Sequence, residues 1–135
     1  MALTLYTNPM SRGRIARVML EELSEPYEAV ILDYGPAMKS PDYRAINPMG
    51  KVPAVVHDGK VITECAAICT YLAMAFPKKG LMAEDTATFF RWMFFAAGPL
   101  EQAVVNTSFG WVPDGPQAKG RTGYGSLESV TRALT

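Results

Sequence analysis

A chain of 135 residues holds one ordinary domain, or a small domain plus part of a second. Its 13 basic and 13 acidic side chains balance with no single-sign block, which argues against a nucleic-acid or anionic-membrane partner. Hydrophobic residues make up 49% of it, enough for a packed core, yet every apolar run stops short of membrane-spanning length. No charged stretch followed by an apolar one opens the chain as a signal peptide would. The two cysteines, Cys65 and Cys69, lie four apart on one predicted helix, neither a C-x-x-C pair nor a zinc pair, and the only histidine is His57. These features point to reduced thiols in a cytoplasmic protein without a metal site.

In chain order, Leu3 to Thr7 alternates as a short strand that Asn8-Pro9 breaks. A helix is predicted from Ser11 to about Leu23, with Ile15, Ala16, Met19, Leu20 and Leu23 as its apolar stripe and Arg14, Arg17 and Glu21 opposite. Tyr27 to Leu32 reads as a second strand, parallel to the first because a helix lies between them. A Gly-Pro loop spans Asp33 to Lys39, and Ser40-Pro41 reads as N-cap and first helical residue of a short helix to Ile46. Asn47-Pro48 and Gly50 then make a loop leading to Val52-Pro53 and a strand, Ala54 to Val56. Asp58-Gly59 is a two-residue hairpin signal. The return strand, Lys60 to Thr63, runs into an apolar helix from Glu64 to Phe76, with Thr63 as its expected N-cap. The order β-α-β-α-β-β-α is thioredoxin-like, without the redox dithiol.

Pro77 to Gly80 reads as a linker, so the expected domains are 1–78 and a partial all-α domain, 79–135. In the latter, Phe89, Phe90, Trp92, Met93, Phe94 and Phe95 share a helix with Arg91, too aromatic for a solvent face. Core, dimer interface and the wall of an apolar substrate pocket are all open readings. Gly98-Pro99 should kink or interrupt this helix. Gly110 to Gly125 reads as a loop, and Ser126 opens a last amphipathic stretch carrying Leu127, Val130 and Leu134.

Two places carry chemistry. Pro53 has no N–H, which leaves the main chain of Val52 available to an extended partner. A helix start beside Glu64 offers N–H groups to a carboxylate and a negative charge to an ammonium group, the two ends of one amino-acid zwitterion. Each feature alone is also explained by a strand entrance and a first-turn acid.

The run NPMGKVPAVVHDGKVITECAAI resembles the glutathione-binding core of the glutathione S-transferase family: a valine before a cis-proline, a hairpin, and an acidic residue opening a helix. LTLYTNPMSRGRIARVMLEEL resembles that family's N-terminal segment, and the residues after Phe76 do so more loosely. The resemblance implies a serine-type, bacterial-like enzyme that adds the glutathione thiolate to a small hydrophobic electrophile, as a cytoplasmic homodimer. It implies that Ser11 donates a hydrogen bond to the glutathione sulfur, with Tyr6 the competing candidate. Val52 would pair with the cysteinyl part, Glu64 hold the γ-glutamyl ammonium, the Cys65 N–H take its carboxylate, and Lys39 the glycyl carboxylate. Arg12 would join the same site. Cys65 stands where the family usually has serine, and the family's helical domain continues beyond a chain of this length. A glutathione-dependent peroxidase or disulfide reductase on the same site, and a non-catalytic interaction module, are the alternatives.

Overall fold

The computed structural model describes residues 1–135. It divides into two compact units, Met1–Ala83 and Glu84–Thr135. In the first unit the elements are β1 (Leu3–Thr7), α1 (Gly13–Leu23), β2 (Glu28–Ile31), α2 (Pro36–Lys39), α3 (Pro41–Ile46), β3 (Ala54–His57), β4 (Lys60–Thr63) and α4 (Cys65–Ala75). One four-stranded sheet has the order β2-β1-β3-β4, with β1 and β2 parallel and both remaining pairs antiparallel. This is the thioredoxin-like α/β arrangement that the order of elements predicts.

Alternation along β1 decides the layers. Leu3, Leu5 and Thr7 are buried, and Leu3 and Leu5 join Val55, Ala16, Leu20, Leu23, Ile68 and Leu72 in one core between the sheet, α1 and α4. Tyr6 points to the other face, where its ring meets that of Tyr43 on α3 at 5.6 Å between centroids. Of the expected stripe on α1, Ile15 is the exception: it is 49% exposed, because the stripe that meets the sheet runs through Ala16, Leu20 and Leu23. The helix α4 is apolar all round yet fully buries only Ile68, Leu72 and Ala73.

The Asp58-Gly59 hairpin forms as the dipeptide demands, with φ of 47° and 80° and His57 paired to Lys60. His57 is structural: its Nδ1 lies 2.8 Å from the Tyr71 hydroxyl and its ring stacks on Phe76. The linker expected at 77–80 is a 3₁₀ turn, and Lys79 is tied to Glu25 in the first unit at 2.8 Å. Expected boundaries shift by a residue or two in several elements, and two differences matter more. Helix α1 begins at Gly13 rather than Ser11, and a short helix, α2, occupies the end of the expected 33–39 loop.

The second unit is helical: α5 (Thr86–Phe95), α6 (Glu101–Ser108), α7 (Gly115–Arg121) and α8 (Leu127–Leu134). Asp85 caps α5 by accepting from the N–H groups of Ala87 and Thr88. Gly98-Pro99 does not break the chain away. It sits in a π-helical turn, Ala96–Leu100, which absorbs the missing proline N–H and passes directly into α6. The stretch from Gly110 to Gly125, read as a loop, contains α7, so glycine and proline here mark the ends of a helix rather than its absence. Val130 of α8 packs with Ala103 and Tyr124 in a small core, whereas Leu127 and Leu134 stay exposed.

One close approach fixes the exit from β1. A Cβ at Gly13 would stand 2.0 Å from Oγ1 of the buried Thr7 and 2.9 Å from the Ser11 Oγ. Gly13→Ala should therefore cost about 3 kcal/mol of unfolding free energy, toward the upper end for overpacking. Urea denaturation measures it, and a loss below about 1 kcal/mol would show that Thr7 simply turns away.

Candidate functional site

The turn after β1 is built on Asn8. Its buried amide Nδ2 donates to the Leu32 carbonyl at 2.8 Å, and its Oδ1 accepts the Met10 N–H at 2.9 Å. Its main-chain carbonyl takes two hydrogen bonds from Ser11, from the N–H at 3.0 Å and from the hydroxyl at 2.7 Å. The Ser11 Oγ in turn accepts the Gly13 N–H at 3.0 Å. Ser11 is thus a capping residue just outside α1, with its single proton directed at Asn8.

A second loop leads into β3. Asn47, also buried, donates its Nδ2 to the Lys51 carbonyl at 2.8 Å and accepts the Met49 N–H on Oδ1 at 3.1 Å. Lys39 donates to the Gly50 carbonyl at 2.7 Å and more weakly to that of Met49 at 3.3 Å. Gly50 needs its φ of 58°, and a Cβ there would meet the Met38 carbonyl at 2.7 Å, so the strand-side loop is seated directly on α2. The Tyr43 hydroxyl donates to the same Lys51 carbonyl at 2.6 Å. Burial pushes the Tyr43 hydroxyl from its ordinary 10.0 up to about 12, and the nearby Tyr6 adds to the rise. Val52 follows, joined to Pro53 by a cis peptide bond, and no neighbouring strand or loop takes its N–H or C=O.

The third piece is the start of α4. Thr63 is not its cap, because it still pairs with Ala54 at the end of β4. Glu64 occupies the cap position with φ 71° and ψ 124°, a region that residues with a side chain rarely enter, and its carboxylate does not bond to its own helix. Holding it there costs about 1–3 kcal/mol, which the surrounding structure must supply. The first bond within α4 joins the Ile68 N–H to the Glu64 carbonyl at 2.9 Å. The start of α4 thus lies ahead of its first intrahelical bond, as at any helix N-terminus.

Sheet register brings the three pieces together. Tyr6 pairs with Ala54 and Ala54 with Thr63, so the ends of β1 and β4 and the entrance to β3 lie side by side. A direct contact closes the group: the Cys65 thiol reaches the Arg12 carbonyl at 3.5 Å. Ser11, Arg12, Val52, Glu64 and Cys65 thus share one sheet edge, and Lys39 joins them through the loop it holds. Tyr6 belongs to the opposite side of β1 from the buried Thr7, against Tyr43. Cys69 is set deeper, and burial raises its thiol pKa. No group of three or more His, Cys, Asp or Glu side chains is arranged to hold a metal ion. No helix is long and apolar enough to cross a membrane.

Reasoning from the sequence missed Asn8 and Asn47 as organising side chains. The signal was present, since Asn-Pro-Met occurs twice, at 8–10 and 47–49. The positive φ of Glu64 had no signal, because glutamate is not a residue that announces it.

The fold is thioredoxin-like, and one end of its sheet presents the unpaired main chain of Val52 beside the start of α4. The chain belongs to the glutathione S-transferase family: the family model described as "Glutathione S-transferase, N-terminal domain" matches residues 1–74. It is 36% identical over 100 residues to the glutathione S-transferase GST-4.5 of Xanthomonas campestris pv. campestris, covering 71% of this chain and 48% of that protein. Among solved structures, it resembles a glutathione transferase homolog from Sulfitobacter with bound glutathione, at 28% identity and a TM-score of 0.71, over 98% of this chain and 67% of that one. A sphingomonad glutathione S-transferase complexed with glutathione matches at 27% identity and a TM-score of 0.69, over 97% and 66%. The chain therefore spans about half the length of the Xanthomonas relative.

The Tyr43 hydroxyl supplies a pH test. Its pKa is higher folded than unfolded, so its contribution to stability is complete below pH 10 and is lost as pH rises toward about 12. Tyr43→Phe should lower stability at neutral pH by about 1 kcal/mol. The same variant should show a smaller loss of stability between pH 10 and 12 than the parent chain. Thermal melts across that range measure both, and identical alkaline profiles would sink the assignment.

Proposed function

We propose that the first unit binds glutathione along the shared edge and that the protein transfers its thiolate to a small hydrophobic electrophile. The observation that carries this reading is the contact between the Cys65 thiol and the Arg12 carbonyl, because it joins the thiol-side turn to the helix start that suits a zwitterion. The glutathione-bound relatives among solved structures support it.

In this reading the unpaired main chain of Val52 pairs with the cysteinyl part of the tripeptide. Glu64, with its carboxylate free of capping duty, takes the γ-glutamyl ammonium, and the Cys65 N–H takes the carboxylate beside it. Lys39 has already given two hydrogen bonds to loop carbonyls, so its remaining proton and its charge serve the glycyl carboxylate. Arg12 adds positive charge at the same edge.

Ser11 is the thiol-activating residue. Its proton lies on the Asn8 carbonyl, so it must rotate to reach a sulfur. The exchange trades a neutral hydrogen bond worth about 0.5–1.5 kcal/mol for one to a charged acceptor worth about 1.5–3 kcal/mol. The net gain of about 1 kcal/mol corresponds to somewhat under one pKa unit, and the macrodipole of α1 adds a few tenths of a kcal/mol. A glutathione thiol of ordinary pKa about 8.5 then ionises substantially at neutral pH.

The second unit is helical, and its aromatic surface suits a second copy of the chain. Phe94 is 73% exposed, and Phe109 and Trp111 stack at 4.7 Å while both face solvent. A homodimer follows from that surface and from the exposed Met74 of α4.

Ser11→Ala should raise the thiol pKa of bound glutathione by about one unit and slow transfer to an aryl halide about tenfold, with affinity little changed. Ultraviolet thiolate absorbance against pH, run beside Tyr6→Phe, decides it: a shift in Tyr6→Phe alone reverses the assignment. Failure of the chain to be retained on immobilised glutathione rejects the whole site. Light scattering at micromolar concentration should give a dimer, and a well-behaved monomer contradicts the homodimer.

A further inference from the structure

Ser11 and Val52 lie in different loops, yet the two loops are fastened by the same device. Each begins Asn-Pro-Met. In each, a buried asparagine sends its Nδ2 to a distant or loop-closing carbonyl, Leu32 or Lys51, at 2.8 Å. In each, the Oδ1 takes the N–H two residues on, that of Met10 or Met49. In each, the asparagine carbonyl takes the N–H three residues on, that of Ser11 at 3.0 Å or Gly50 at 2.8 Å. Both side chains are nearly sealed from solvent, at 7% and 6% exposure, so neither can exchange its partners for water.

The two loops differ in what they carry. The Asn8 carbonyl is the group that holds the Ser11 proton at 2.7 Å, so the position of Asn8 sets both where the hydroxyl sits and what a thiolate must compete with. The Asn47 amide holds the Lys51 carbonyl, the last main-chain group before Val52, so its position sets where Val52 presents its N–H and C=O. We infer that Asn8 and Asn47 are positioning residues with separate outputs: Asn8 governs thiol ionisation through Ser11, and Asn47 governs glutathione affinity through Val52. This rests on the reading of the site given above.

The separation is what a merely structural role would not produce. In the full chain, Asn8→Ala should raise the pKa of the bound glutathione thiol by about half a unit to one unit, with the Kd for glutathione changed less than about twofold. Asn47→Ala should weaken glutathione about tenfold and leave the thiol pKa where it was. Thiolate absorbance against pH gives the first quantity and titration calorimetry the second. If an alanine variant fails to fold, Asn8→Ser and Asn47→Ser retain an acceptor for the N–H two residues on while giving up the bond to Leu32 or Lys51. Changes in both quantities by both variants, or in neither, overturn the inference. Ser11→Ala in the same series separates the two failures: if it leaves the thiol pKa unmoved while glutathione still binds, it is the role of Ser11 that falls.

Discussion

A buried primary amide cannot be left half satisfied, and that requirement organises this domain. Asn8 and Asn47 each bury a side-chain amide, and leaving its nitrogen or its oxygen without any partner costs roughly 1–3 kcal/mol. The chain meets the demand by folding both loops around the asparagines, so that nearby main-chain groups become their partners. The Leu32 carbonyl at the exit of β2 and the Lys51 carbonyl at the entrance to β3 are thereby fixed relative to the loops they face. The proline after each asparagine removes a competing N–H and pre-sets one torsion of the turn. The sheet supplies the platform, but the loops get their shape from two side-chain amides.

Much of the first unit was legible because its signals are local. Alternation in β1, the Asp58-Gly59 turn and the Ser40-Pro41 helix start each depend on a few adjacent residues, and each formed as the residues demand. What escaped depends on residues far apart in the chain. Gly13 packs so closely on Thr7 that a Cβ would stand 2.0 Å from its Oγ1, and a spacing argument does not see that contact. Thr63 was an attractive cap by chemistry, yet pairing with Ala54 keeps it in the strand, and Glu64 takes the cap position despite its side chain. In the second unit the glycines and prolines around α7 suggested an open loop, and composition alone cannot tell a short helix bounded by such residues from a loop made of them.

The candidate site divides the same way. Ser11, Val52 and Glu64 stand out because hydroxyl, pre-proline and acidic residues carry recognisable chemistry. Their meeting at one edge is a product of register: a one-residue slip between β3 and β4 would turn the pleat over and carry Glu64 away from the Val52-Pro53 entrance. The twin asparagines passed unnoticed because they contribute geometry rather than chemistry.

The backbone of Glu64 has a consequence for how this protein varies over time. A glycine there would relax a torsion of 71° at no steric cost and would leave the chain more stable. It would also remove the carboxylate at the cap position of α4. Under the glutathione site proposed above, stability and ligand recognition therefore pull on this one position in opposite directions.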